Sequence, residues 1–154
     1  MARRPRRESK ESKEPTGTAT AKASRASKAP GTDAACTVTV CRGCCCGTTA
    51  KHPEVDHGAQ LVRLREGLGD AGRVRAVQCL DACDHSNVVV VSPSPAGRLA
   101  GGRPVWLGWV LADDMLDEIT EWVRAGGPGI AEPPGTLDLQ EFAVSRRVRE
   151  GLPG

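Results

Sequence analysis

Apolar positions along this chain switch between two spacings, and the switches divide it into elements. Residues 35–41 (ACTVTVC) alternate and are rich in β-branched side chains, which predicts a first strand. Asp56 can cap a helix, and Ala59, Leu61, Val62, Leu64 and Leu68 then recur at helical spacing until Gly67, Gly69 and Gly72 end the run. Residues 74–79 read as a second strand. Residues 87–91 (NVVVV) read as a strand buried on both faces, because the run does not alternate. Residues 105–110 (VWLGWV) predict another strand, with Trp106 and Trp109 on opposite faces by the period of two. The strongest helical pattern covers residues 113–125. Met115, Leu116, Ile119, Trp122 and Val123 form its apolar stripe, Asp113, Asp114, Asp117 and Glu118 favour its N-terminal end, and Gly126-Gly127-Pro128 stops it.

Strand, helix, strand, then strand, strand, helix predicts an α/β sandwich: a mixed sheet of about four strands with two main helices. The first βαβ unit should be parallel and right-handed. Residues 42–47 and 79–83 would then both leave the carboxyl ends of neighbouring parallel strands, the edge where ligands of such sheets bind. The domain is expected over residues 35–127, with a solvated linker at 92–104. Residues 128–154, with Pro133-Pro134 and little periodicity, read as an irregular C-terminal tail on which Leu137, Leu139, Phe142 and Val144 dock loosely.

Charge separates a further region. Residues 1–32 hold nine Lys/Arg and three Glu, a net of +6, whereas the whole chain is +2, leaving −4 for residues 33–154. The leader has no Val, Ile, Leu, Phe or Trp, so residues 1–34 are expected to be a disordered, basic, solubilising tail. It lacks the apolar stretch of a secretory signal, and no apolar run reaches the length of a membrane span. The expectation is a cytoplasmic protein with no membrane partner. A basic arm can also hold phosphate non-specifically, but nucleic acid is the lesser expectation.

The chemistry lies in the cysteines. Seven cysteines in a reducing compartment bind metal or do redox chemistry more often than they form disulfides. Cys41-Arg-Gly-Cys-Cys-Cys46 supplies a C-x4-C pair, Cys79-Leu-Asp-Ala-Cys83 supplies a C-x3-C pair, and 32 residues separate Cys46 from Cys79. A two-iron cluster takes two thiolates on each iron, so two close pairs from two loops fit it. The candidate ligands are Cys41, Cys46, Cys79 and Cys83, with Cys45 as the alternate for Cys46. Cys36 reads as a small core residue.

This combination of C-x4-C, about thirty residues and C-x3-C, followed by the strand at 87–91, resembles the thioredoxin-like [2Fe–2S] ferredoxins. It equally resembles the homologous cluster subunit of NADH dehydrogenases and related hydrogenases. The resemblance covers about residues 36–125. It implies a thioredoxin-like fold, a single [2Fe–2S] cluster and one-electron transport without substrate turnover. It also implies redox partner proteins (a reductase or an oxidoreductase acceptor) and allows a homodimer. The chain departs from that pattern in the extra Cys44 and Cys45, the long 92–104 connection and the basic leader.

Other readings of the same residues stay open. Four cysteines can form a structural zinc site, and Cys41-x2-Cys44 has zinc-knuckle spacing, although the second pair is C-x3-C. A cluster could instead sense redox state or iron. Cys41-Arg-Gly-Cys44 at a strand end allows a thiol–disulfide oxidoreductase, but that leaves Cys79 and Cys83 without a role. A Rieske centre is excluded, because no Cys-x-x-His follows Cys83-Asp84-His85.

Overall fold

A computed structural model describes residues 35–43 and 45–150. The basic leader and Cys44 lie outside these residues. Four strands, β1 (Cys36–Cys41), β2 (Gly72–Val77), β3 (Val89–Ser92) and β4 (Val105–Leu107), form one sheet in the order β2-β1-β3-β4. β1 and β2 are parallel, with Cys41 opposite Val77, and the β1–β3 and β3–β4 pairs are antiparallel. The helices are α1 (His57–Leu68), α2 (Pro95–Leu99), α3 (Asp113–Arg124) and α4 (Arg146–Glu150). The expected α/β class, with a four-strand mixed sheet and two main helices, is the observed one.

The central strands β1 and β3 are covered on both faces, while the edge strand β2 is partly exposed. On one side Val38, Val40, Val89, Val91 and Leu107 pack against Leu64 and Leu68 of α1 and Leu116, Ile119, Trp122 and Val123 of α3. On the other, Val88, Val90 and Trp106 meet Cys41, Cys46, Leu80 and Phe142. The valine run serves both layers at once, which is why it does not alternate in hydropathy. Cys41 and Cys46 are therefore part of the second core layer, with Cys45 and Cys83 packed against it.

Asp56 caps α1, its carboxylate accepting from the Ala59 N–H at 2.8 Å. The buried face of α1 differs from the apolar reading. His57 and Gln60 are buried beside Leu64 and Leu68, while Val62 is half exposed. The segment expected as a linker carries α2, whose Ser94 accepts from the Gly97 N–H and whose first residue is Pro95. β4 is shorter than expected and stops at Leu107. Trp109 consequently leaves the sheet, half exposed, with φ of 55°.

Residues 128–150 contribute no strand, yet they close the β4 edge. Trp122 Nε1 donates to the Ala131 carbonyl at 2.8 Å, and Leu137 is buried with the helices. Glu141 then bridges Leu107, the Phe142 N–H donates to the Trp106 carbonyl, and Phe142 and Val144 pack on the thiol side. Covering an edge strand in this way removes a template for unwanted pairing. Among the described residues no helix is long and apolar enough to cross a membrane.

Candidate metal centre

The two cysteine loops leave the sheet side by side because β1 and β2 are in register. The ladder runs one residue past β1, where the Arg42 N–H donates to the Val77 carbonyl at 2.9 Å. Two glycines then let the first loop fold tightly. A Cβ on Gly43 would overlap the Gln78 backbone, and one on Gly47 would overlap Arg42 backbone atoms. Gly43 thus lets one loop lie directly on the other, and Gly47 lets the first loop double back.

The second loop is held in an uncommon conformation. Asp81, Ser86 and Asn87 have φ of 54°, 41° and 38°, and the facing Trp109 N–H donates to both the His85 and Ser86 carbonyls. Left-handed backbone suits Asp and Asn but is costly for Ser and Trp, and such strain gathers at functional sites. Two contacts tie residues 48–57 to this region, Lys51 Nζ to the Cys83 carbonyl at 2.6 Å and His52 Nε2 to Ser86 Oγ at 2.7 Å, while His57 Nε2, 3.1 Å from the Thr48 carbonyl, closes the segment on itself.

Five cysteines converge here. The sulfurs of Cys45, Cys46 and Cys83 all lie within 4.8 Å of one another, a group able to hold a metal ion. Cys79 Sγ is 4.0 Å from Cys83 Sγ and accepts from the Asp81 N–H at 3.3 Å. Cys41, at the end of β1, packs in the same buried cluster as Cys46. Its own sulfur also lies 3.6 Å from the Gln78 carbonyl. Among the described residues no histidine or carboxylate belongs to the sulfur group. The candidates differ in depth: Cys41 and Cys46 are buried, Cys45 and Cys83 are intermediate, and Cys79 is exposed.

Burial first, and crowding second, set the electrostatics. Desolvation raises the Cys41 thiol, and desolvation followed by its neighbour Cys41 pushes Cys46 up to about 11. Cys83 is pushed up to about 12 by desolvation and by hydrogen bonds with Cys79 and Cys45. Packing several potential anions together opposes ionisation of each one. A bound cation reverses that preference, because thiolates are the ligands it requires. The donor set therefore suits a thiophilic metal, with sulfur ligands from two loops and an N–H directed at one of them.

A polar layer behind the thiols had no signal in hydropathy. Arg42 Nη1 donates to the Cys41 carbonyl at 2.9 Å and to Asn87 Oδ1 at 2.8 Å, and Nη2 reaches Gln60 Oε1 at 3.4 Å. Asn87 Nδ2 donates to Gln60 Oε1 at 2.9 Å and to the Val110 carbonyl, and Gln60 Nε2 donates to the Leu111 carbonyl at 2.9 Å. Asn87 was visible as the one polar residue opening the valine run. Gln60 was hidden because a buried Gln on a helix resembles a surface one.

No family model, curated protein or solved structure matches the chain.

Proposed function

We propose that this protein is a one-electron carrier of the ferredoxin type, holding a single [2Fe–2S] cluster between its two cysteine loops. The observation that carries the reading is the supply of thiols in two sets, Cys41, Cys45 and Cys46 from one loop and Cys79 and Cys83 from the other, at the ends of paired parallel strands. The spacing of C-x4-C and C-x3-C supports the same reading through its resemblance to the thioredoxin-like ferredoxins. The proposed ligands are Cys41, Cys46, Cys79 and Cys83, with Cys45 able to replace Cys46.

When bound, such a cluster supplies reversible uptake of one electron. The residues of the chain then have three tasks. The four thiolates would hold the irons, the Asp81 N–H donates to the Cys79 sulfur, and the burial of Cys41 and Cys46 would keep water from their side of the site. Exposed Cys79 marks the side from which an electron would enter or leave, and a redox protein is the expected partner. The protein turns over no substrate in this reading.

A structural four-cysteine zinc site is the second reading, and one distance favours it. Sulfurs on one tetrahedral zinc sit about 3.8 Å apart, given Zn–S bonds of about 2.3 Å. The grouping of Cys45, Cys46 and Cys83 within 4.8 Å is near that spacing.

Anaerobic purification, followed by iron, sulfide and zinc assays with a visible spectrum, separates the two. The carrier reading expects about two irons and two sulfides per chain and charge-transfer bands that bleach with dithionite. A colourless protein with stoichiometric zinc, which also resists iron–sulfide reconstitution, would overturn it in favour of zinc.

A further inference from the structure

The Arg42 guanidinium is unusual for a partly buried cation. It is only partly accessible, and among the described residues no carboxylate pairs with it. Its hydrogen-bond acceptors are all neutral: the Cys41 carbonyl, Asn87 Oδ1 and Gln60 Oε1. Its Nε is buried without a hydrogen-bond partner. Desolvating a charge without an opposite charge nearby is costly. A role confined to hydrogen bonding could be met by a neutral side chain, without that cost.

The Arg42 Nη1 bond to the Cys41 carbonyl at 2.9 Å holds the charge beside the first cysteine loop, whose thiols can become anionic. Arg42 follows Cys41 directly and lies under the loop that returns at Gly47. Asn87 and Gln60 are both buried and hydrogen-bonded to each other, so they hold the guanidinium in one place. A fixed cation at this depth acts through protein rather than water, where charge interactions are stronger.

We infer that Arg42 is a positioning and tuning residue: a fixed positive charge behind the cysteine loops that stabilises the anionic thiolate cluster and raises its reduction potential. The reduced cluster carries one more negative charge than the oxidised one, so a nearby cation favours the reduced form. The inference rests on the proposed cluster. It adds that the charge of one residue, rather than solvent exposure alone, sets how readily that cluster accepts an electron.

The test is spectroelectrochemical titration of the reconstituted full chain, comparing the wild type with Arg42→Gln, Arg42→Met and Arg42→Lys. Both neutral variants are expected to shift the reduction equilibrium about tenfold toward the oxidised form, a fall of about 59 mV for a one-electron couple. Arg42→Lys should stay within about threefold of wild type, since it keeps the charge but loses the planar fork. Arg42→Met fills the space of the stem and introduces no polar atom of its own, so it serves if Arg42→Gln does not fold. A cluster-loaded wild type whose potential is unchanged in the neutral variants overturns this inference and leaves the carrier reading standing. A wild type that takes up no iron and sulfide overturns the carrier reading, and this inference with it.

Discussion

The two cysteine loops serve one site by different means. The first is glycine-shaped and anchored in the core, and it offers three described thiols, of which Cys41 and Cys46 are buried. The second is nearer the surface and offers only Cys79 and Cys83, held by left-handed backbone at Asp81, Ser86 and Asn87. The difference teaches where the site tolerates change. The first loop has a thiol to spare but no space; the second has space but no spare thiol.

The largest expected effect follows from the missing spare. Cys83→Ser, and likewise Cys79→Ser, should abolish metal binding and lower the thermal stability of the protein as purified, because metal–thiolate bonds add to the folding free energy. Metal content per chain decides this, and full content in either variant would remove that residue from the ligand set. Next comes the missing space. Gly43→Ala drives a Cβ into the Gln78 backbone and should cost about 1–3 kcal/mol in urea unfolding, as overpacking does. It should also reduce metal content by separating the loops. A stable Gly43→Ala variant with full metal content would show that the loops need not touch.

The spare thiol predicts a smaller effect. Cys46→Ser should retain part of the metal with an altered spectrum, because Cys45 lies in the same sulfur group. Cys45→Ser should change little, and the double variant should lose the metal. Complete loss in Cys46→Ser alone would show that Cys45 cannot substitute.

The smallest effect is one of pH on the metal-free protein. Cys46 and Cys83 ionise at about 11 and about 12 in the fold, against an ordinary 9.0 when unfolded. Their protonated forms are favoured by the fold, so this contribution is fully present below pH 9 and is lost as pH rises toward 11 to 12. Denaturation midpoints of metal-free protein should fall across that window. The metal-loaded protein, whose thiols are already deprotonated, should show a weaker fall. Equal slopes for the two forms would mean that the thiols are not metal ligands.

Much of this arrangement was legible in the sequence. The α3 stripe from Met115 to Val123 is regular because one helix face meets one core, and all but Met115 are buried. The β1–β2 pairing followed from the strand–helix–strand order, and it carries the two cysteine loops to the same edge. Trp109 was misplaced because its apolar character suggested a strand, whereas the backbone turns after Leu107 to meet the His85 and Ser86 carbonyls. α2 was missed although Ser94 and Pro95 are ordinary helix-start residues; five residues are too few to establish a period. The polar layer of Arg42, Gln60 and Asn87 depends on contacts between residues 18 to 45 positions apart, which no local pattern records.

The most direct test of a shared two-iron site is low-temperature EPR of the anaerobically reconstituted wild type, before and after dithionite, with spins counted against protein. The account predicts silence before reduction and an S = 1/2 signal after it, integrating to about one spin per chain, as one electron on one cluster requires. Absence of that signal from a sample that had been offered iron and sulfide, with zinc bound in its place, would contradict it.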